Sequence, residues 1–189
     1  HTARTKFTVM NAYTLHREQL VILRAALAAA KPGARVVYST CSMNPVEDEA
    51  VIQAALTLSE GAVRLVDARS MLPGLQFTPG LSKWTVYDRE MHPVEGSHQN
   101  IPDTAFPRAD NADLHLEYTL RMLPHLMDSG GFYVALLEKV RETPELPAHT
   151  PEPVAVKRSA KRRRGQAPVD EQVLLRLVDS PAGKEVAER

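Results

Sequence analysis

The sequence predicts an α/β fold, built on an open sheet of parallel strands with helices on its faces. Apolar residues recur at helical spacing over 14–30, and a short run of valine, tyrosine and threonine follows at 35–40. A second helical pattern over 45–58 then leads into an alternating, strand-like run at 63–68. Helix, strand, helix and strand joined by short connections are typical of parallel sheets covered by helices.

The first helix and the first strand have recognisable ends. The helix is expected to end at Lys31-Pro32-Gly33, where a cation meets its negative end and a glycine permits a positive φ angle. The strand over 35–40 carries no alternating charge, which predicts burial on both of its faces.

The second helix begins with a capping pattern. Asn44 suits the cap, Pro45 suits the first helical position, and the carboxylate of Glu47 is placed to reach back to the cap. The residues expected on its inner side are Ala50, Val51, Ala54, Ala55 and Leu58.

The rest of the chain divides into an irregular region, a last pair of elements and a tail. Regular patterns disappear over 69–111, except for a short strand at 83–87. A helix is predicted over 113–123 and a final strand over 131–140. The composition then becomes proline-rich and basic, which predicts a folded domain over 1–141 and a disordered linker tail over 142–189.

Composition limits the classes of function. The chain has 23 Lys and Arg residues and 23 Asp and Glu residues, so its net charge neither favours nor excludes the binding of nucleic acid. A single cysteine cannot form an internal disulfide, and without a recognisable signal peptide we expect a reducing, intracellular compartment. No apolar run approaches the roughly 20 residues that cross a bilayer, so no membrane is expected as a partner.

The single cysteine, Cys41, lies directly after the strand over 35–40 and shortly before the next helix. Ligands of open α/β sheets bind at the carboxyl ends of strands, and a helix N-terminus favours the thiolate form of a nearby thiol. This position suits a nucleophile. The alternative is a small apolar core residue, since free cysteines are often buried.

The stretch from 15 to 52 resembles the sixth-motif region of the Sun-family, Fmu-like RNA cytosine-5 methyltransferases. In that family a Leu-His-x-x-Gln helix precedes a strand ending in Tyr-Ser-Thr-Cys-Ser, and x-x-Pro-x-Glu-Asn/Asp-Glu follows. The matching residues are Leu15, His16, Gln19, Tyr38, Ser39, Thr40, Cys41, Ser42, Pro45, Glu47, Asp48 and Glu49. A looser similarity extends to about Lys139 and is closest to the eukaryotic transfer-RNA-modifying branch.

The resemblance implies a fold and a reaction. The fold is the C-terminal portion of a Rossmann-like sheet of an S-adenosylmethionine-dependent methyltransferase. The reaction transfers a methyl group from that cofactor to C5 of cytosine in RNA, with transfer RNA the expected substrate. Cys41 is the implied thiol that attacks C6 of a base turned out of its stack. Thr40, Ser42 and His16 are expected near the substrate, although His16 is also suited to cap or pack its helix.

Several features of the family are missing. Relatives carry a second cysteine in an Asp-x-Pro-Cys motif, a glycine-rich turn and an acidic residue for the cofactor ribose. All of these are expected upstream, because the chain begins at His1 and enters a helix without a preceding strand. We therefore expect a piece of a longer protein with no cofactor-binding residues of its own, which alone neither binds S-adenosylmethionine well nor turns over.

Three further groups of residues are candidates for a functional role. The acidic cluster Glu47, Asp48 and Glu49 is expected to cap its helix and to shape the loop that holds Cys41, with a direct catalytic role for one of them as the alternative. His92, Glu95 and His98 have a spacing suggestive of metal binding, but no further strong ligand accompanies them, and no metal is expected. The aromatic residues of the irregular region are expected to pack, with base stacking as the alternative; they are Trp84, Tyr87 and Phe106.

The tail contains one cluster of positively charged residues, in the sequence KRSAKRRRG. Its cations are Lys157, Arg158, Lys161, Arg162, Arg163 and Arg164. Such a run is typical of RNA-phosphate contacts or of a nuclear import signal, which predicts a nuclear or nucleolar protein with the cytoplasm as a second compartment. A solvated linker is the alternative. For the whole protein, the alternatives to an enzyme of this family are a non-catalytic RNA-binding relative and a cysteine-dependent hydrolase.

Overall fold

The first two helices and the strand after each of them follow the predicted order, but the last described strand joins the sheet at its centre. The structure, a computed structural model, describes residues 8–109, 111–128 and 130–144. Its elements are α1 (Val9–Ala29), β1 (Arg35–Thr40), α2 (Glu49–Leu58), β2 (Val63–Leu65), β3 (Thr78–Pro79), β4 (Val86–Tyr87), β5 (Pro93–Val94), β6 (Leu120–Met122), α3 (Pro124–Met127) and β7 (Phe132–Lys139).

The main sheet is organised around β7. β1 pairs along one edge of β7, while β2 and β6 share the other edge, and β3 lies beyond β6. Every one of these pairings is antiparallel, whereas the sequence predicts an open sheet of parallel strands with β1 and β2 among them. Both strands run in the same direction, but β7 lies between them. The local pattern could not reveal this, because the inserted strand comes much later in the chain.

One face of the sheet forms the core. Alternate residues of β7 are buried, and α1 and α2 contribute Leu23, Leu27, Val51 and Ile52 to the same apolar cluster. The other face is open within the described residues, where the Val37 side chain is 63% exposed. The expected burial of β1 on both faces is therefore wrong, because no described helix covers its second face.

The two ends of α1 are fixed by contacts that the sequence pattern did not predict. The helix begins at Val9, well before the predicted start, and the backbone N–H of Thr8 donates to Asn11 Oδ1 at 2.8 Å. At the other end Gly33 has the expected positive φ angle, of 85°. The cation at this end is the buried Lys139, whose Nζ donates to the carbonyls of Ala28 and Ala30 at 3.2 and 2.7 Å.

The helix predicted over 113–123 is wrong. The segment forms two short 3₁₀ turns, Asn111–Leu114 and Leu116–Tyr118, followed by β6. His115, between the turns, has a left-handed φ angle of 55°, which interrupts any helix. Pairing with β7 then makes the next residues extended, so tertiary contacts override the apolar spacing. The final strand is confirmed, whereas the strands expected over 63–68 and 83–87 are shorter than predicted.

A close backbone approach joins the irregular region to the second 3₁₀ turn. Gly80 N–H donates to the Thr119 carbonyl at 3.0 Å. A Cβ atom on Gly80 would lie 2.0 Å from Thr119 Oγ1 and 2.4 Å from the Leu116 carbonyl oxygen, so only glycine fits. The next residue, Leu81, uses its N–H to donate to Glu49 Oε1 at 2.9 Å. The glycine thus brings a backbone donor to a buried carboxylate at the start of α2.

Candidate functional site

Cys41 lies at the carboxyl end of β1, directly after Thr40, and its side chain is exposed. It is not the core residue that one interpretation of the sequence allowed. The helix expected to begin at Pro45 begins instead at Glu49, and turns occupy residues 45–48. We call residues 41–48 the Cys41 loop. The expected helix N-terminus directly after the thiol is therefore wrong, because this loop separates them along the chain.

The hydroxyl groups on both sides of Cys41 are bound to carboxylates. Thr40 Oγ1 donates to Asp48 Oδ1 at 2.6 Å, and Ser42 Oγ donates to Glu47 Oε1 at 3.1 Å. The two hydroxyl oxygens also accept backbone N–H groups within the loop. Thr40 Oγ1 accepts from Ser42 N–H at 3.2 Å, and Ser42 Oγ accepts from Asn44 N–H at 3.1 Å. These bonds fix the backbone that carries the thiol. Contact of Thr40 and Ser42 with a substrate stays a prediction.

The acidic cluster shapes the Cys41 loop rather than capping α2. Glu47, Asp48 and Glu49 are 5%, 0% and 0% exposed. Asp48 is the N-cap residue, yet its side chain makes no capping hydrogen bond. Glu47 accepts from the Asn44 side chain at 3.4 Å instead of reaching back to the backbone of that residue. The loop-shaping interpretation agrees with these contacts, whereas the predicted capping is wrong.

A buried arginine that the sequence did not single out neutralises part of this cluster. Arg121, on β6, donates from Nε to Glu49 Oε1 at 2.6 Å and from Nη2 to Asp48 Oδ2 at 3.5 Å. Its Nη2 also donates to the second oxygen of Glu49. The signal available in the sequence was an arginine between Leu120 and Met122, since a charge inside an apolar run indicates a buried ion pair. The incorrect helix prediction for this segment concealed it.

Asp48 carries an unusual proton affinity. Burial raises the pKa of its carboxyl to about 7, the hydrogen bond from Thr40 lowers it, and the neighbouring Glu49 raises it again. Arg121 lowers this pKa and Glu47 raises it, but burial is the largest influence. The Asp48 carboxyl therefore changes its charge near neutral pH, next to the residue that precedes Cys41.

Asp48→Asn is expected to become progressively more stable than the wild type as pH rises from about 4 to about 7. Over this range the wild-type folded state holds a proton that the unfolded chain has released, so the wild-type free energy of unfolding falls with pH. The slope of the difference is at most about 1.4 kcal/mol per pH unit. Asparagine keeps an acceptor for Thr40, and the family pattern admits it at this position. Urea unfolding of both proteins between pH 4 and 8 measures the difference.

The matched control for this prediction is Asp67→Asn. Hydrogen bonds from Arg69 lower the pKa of the exposed Asp67 to about 2. Its replacement should therefore change stability equally at pH 5 and pH 8. A flat difference between Asp48→Asn and the wild type over the same interval would contradict the raised pKa. The other ionisable groups that face Asp48 remain in both proteins; they are Glu47, Glu49, Arg121, Tyr38 and Tyr133.

His16 links α1 to the Cys41 loop. The ring is fully buried, with Nδ1 2.7 Å from the Val46 carbonyl and Nε2 2.8 Å from Thr104 Oγ1. Because a carbonyl can only accept, Nδ1 donates, and in the neutral ring that the lowered pKa favours, Nε2 accepts from the hydroxyl. Burial lowers the pKa of His16, the carbonyl of Val46 partly opposes this, and the charge of Arg17 lowers it further. These contacts are those of a structural support, and substrate contact stays a prediction.

The remaining candidate side chains take no part in the hydrogen bonds that fix the Cys41 loop. Trp84 Nε1 donates to the Ala105 carbonyl at 2.8 Å, and Trp84 and Phe106 pack against the core, as expected. Within the described ranges, no group of three or more His, Cys, Asp or Glu side chains is arranged to hold a metal ion. His92 pairs instead with Asp88, with its Nδ1 3.4 Å from Oδ2. The predicted basic segment over 157–164 lies outside the described residues.

A cleft of about 540 Å³ borders the Cys41 loop. Asn44, Pro45 and Val46 form one side of it, and Tyr13, Trp84 and Tyr87 contribute aromatic surface. None of the side chains that line it is acidic, so it offers no carboxylate for the ribose hydroxyls of S-adenosylmethionine. The cleft therefore lacks the acidic residue that the resemblance implies for holding the cofactor ribose.

Sequence comparison shows which proteins this chain is similar to. Residues 2–138 match the family described as 16S rRNA methyltransferase RsmB/F. The chain is 37% identical over 175 residues to the tRNA (cytosine(34)-C(5))-methyltransferase of Drosophila melanogaster, covering 87% of this chain and 24% of that protein. It is 41% identical over 142 residues to the multisite-specific tRNA:(cytosine-C(5))-methyltransferase trm4b of Schizosaccharomyces pombe, covering 71% and 21%. These matches confirm the resemblance seen around Cys41.

More distant similarities complete the comparison. The ribosomal RNA small subunit methyltransferase F of Salmonella arizonae is 33% identical over 132 residues, covering 70% of this chain and 20% of that protein. A solved methyltransferase homolog from Pyrococcus horikoshii aligns with a TM-score of 0.46 at 25% identity, covering 68% of this chain and 32% of the other. The chain thus spans about a quarter, or less, of the length of these curated relatives.

Proposed function

This chain belongs to the 16S rRNA methyltransferase RsmB/F family, and from that membership we propose that the protein at its full natural length methylates C5 of cytosine in RNA. Cys41 is the attacking nucleophile. The observation that carries this proposal is an exposed thiol at the carboxyl end of β1, on a loop fixed on both sides of the sulfur by hydrogen bonds to buried carboxylates. Such a loop presents a reactive group in a defined direction.

The chemistry assigned to Cys41 is nucleophilic addition followed by elimination. The thiolate adds to C6 of cytosine, which breaks the aromatic ring system and makes C5 electron-rich. After C5 has gained its methyl group, loss of the C5 proton restores the C5–C6 double bond, and the C6–S bond breaks to release the thiolate. S-adenosylmethionine is the proposed source of the methyl group. The cleft beside the Cys41 loop carries no acidic side chain for its ribose, and we assign none of the described residues to the cofactor.

Transfer RNA is the proposed substrate class. The relatives with 37–41% identity are named as transfer RNA cytosine-C5 methyltransferases, whereas the Salmonella arizonae protein, named for ribosomal RNA, is 33% identical. The segment around Cys41 is neutral to acidic rather than basic. RNA phosphates are therefore expected to contact basic residues elsewhere in the protein, such as those over 157–164.

Covalent trapping tests the proposed function directly. Transfer RNA that carries 5-fluorocytosine cannot lose the C5 substituent as a proton, so a reacting enzyme is expected to remain attached through sulfur. We expect a complex that survives denaturation, with the modified peptide containing Cys41. A protein that binds the same RNA without forming the complex, and without methylating unmodified RNA, would instead be the non-catalytic RNA-binding relative.

Deletion of residues 157–164 is expected to weaken RNA binding and to reduce nuclear accumulation. For single-stranded RNA, each lost phosphate contact lowers the steepness of the salt dependence by about 0.7 in a plot of log affinity against log salt. Filter binding between 50 and 300 mM salt and fluorescence microscopy of the tagged protein measure the two effects. The control is deletion of residues 149–156, an equally long segment without Lys or Arg. Identical results for the two deletions would leave the basic segment as a solvated linker.

A further inference from the structure

Arg121 has no role in the motif around Cys41 or in the proposed reaction. Its side chain lies on β6 and is only 7% exposed. A charge buried to this degree destabilises the fold unless several acceptors compensate for the lost water. The positions of those acceptors therefore indicate what the residue does.

The guanidinium group of Arg121 bonds to the Cys41 loop at two places. Nη1 donates to the Met43 carbonyl at 3.1 Å, and Nη2 contacts Asp48 Oδ2 at 3.5 Å. Met43 lies near the beginning of the loop and Asp48 is its last residue. One planar group thus spans the loop from a strand on the far side of β7 from β1.

The contact with Asp48 extends to the residue that precedes Cys41. The second oxygen of Asp48 accepts the Thr40 hydroxyl at 2.6 Å. The guanidinium group is itself held in place by Glu49 and lies over the ring of Tyr133, 5.6 Å from the ring centroid. Lysine could not reproduce this arrangement, because a single ammonium lacks the planar set of donors.

We propose that Arg121 is a positioning residue for Cys41, which holds the Met43 and Asp48 segments of the loop so that Sγ meets C6 of the target base in a productive direction. This inference rests on the proposed function, because it requires Cys41 to be the attacking group. Misplacement of a reacting group by about 1 Å can lower a rate by about 100-fold, so the loss of one anchoring bond is measurable in turnover.

The test compares Arg121→Lys with the wild type in the protein at its full natural length, with transfer RNA as substrate. We expect kcat to fall at least ~10-fold, while KM for RNA changes less than about threefold. Alkylation of Cys41 by iodoacetamide, followed on its peptide by mass spectrometry, should also change less than about threefold, because a small reagent approaches from any direction. Because a lower folded fraction would also reduce the apparent kcat without changing KM, kcat is expressed per folded molecule, with the folded fraction measured by circular dichroism.

Arg64→Lys is the matched control. Arg64 pairs with Glu138 at 2.8 Å on the same sheet, but its side chain is 67% exposed, so its replacement should leave kcat unchanged. If Arg121→Lys does not fold, Glu49→Gln is tested instead. This substitution weakens the bonds that hold the guanidinium group while Arg121 stays in place, so kcat is expected to fall about threefold. An unchanged kcat in a folded variant overturns the positioning role alone. A wild-type protein that forms no adduct at Cys41 overturns the proposed function and this inference with it.

Discussion

In the protein at its full natural length, Cys41→Ala is expected to reduce methyl transfer at least ~1,000-fold and to abolish the covalent complex with 5-fluorocytosine RNA. Without sulfur no bond to C6 forms, and C5 remains part of an aromatic ring that does not attack a methyl donor. Removal of a nucleophile typically eliminates nearly the whole contribution of the groups that act with it. Steady-state methylation of transfer RNA, with denaturing gel analysis of the trapped complex, measures both effects.

The same substitution should leave the fold intact. The side chain of Cys41 is exposed, so its truncation should change the free energy of unfolding by no more than about 0.5 kcal/mol. Cys41→Ser is the matched variant, because a hydroxyl of similar size is a much weaker nucleophile at neutral pH and should be equally inactive. Methylation by a folded Cys41→Ala protein at a rate near that of the wild type would remove Cys41 from the mechanism.

Gly80→Ala is expected to destabilise the domain by about 3 kcal/mol or more. The added methyl group would collide with Thr119 Oγ1 and with the carbonyl oxygen of Leu116, at 2.0 and 2.4 Å. The hydroxyl of Thr119 can rotate with its side chain, but the carbonyl belongs to the backbone of a 3₁₀ turn. Relief of the clash would also move Leu81 away from Glu49. Urea unfolding followed by circular dichroism measures the loss.

Gly74→Ala separates this clash from the general effect of replacing glycine. Gly74 has a φ angle of 85°, and no atom lies within 4 Å of the position of an added Cβ. Its replacement should therefore cost only the left-handed backbone penalty of about 1–2 kcal/mol. Equal losses for the two variants would mean that the close approach at Gly80 relaxes without cost.

The sequence predicted the elements that have local signals. β1 has the predicted bounds, and β7 differs from its predicted range by one residue at each end. Short apolar runs rich in β-branched residues between turn signals are sufficient for such predictions. The position of Cys41 at the end of β1 was also predictable, since it follows from the strand itself.

What the sequence could not predict depends on contacts between distant residues. The pairing of β7 between β1 and β2 is not encoded in the spacing of either strand, because any two strands with apolar faces are compatible. The start of α2 moved from Pro45 to Glu49 because the Glu47 and Asp48 carboxylates bind the hydroxyls beside Cys41 instead of capping a helix. The role of Arg121 depends on β6, which lies in a segment whose apolar spacing predicts a helix.

The central position of β7 affects the order in which the domain folds during synthesis. β1 and β2 are synthesised before β7, and in the described part of the chain both pair only with β7. Until Phe132–Lys139 is available, the edges of β1 and β2 that face β7 lack their partner strand, and pairing across so long a separation slows folding. The nascent chain therefore passes through a stage in which these edges are open, and open strand edges are prone to association with other chains.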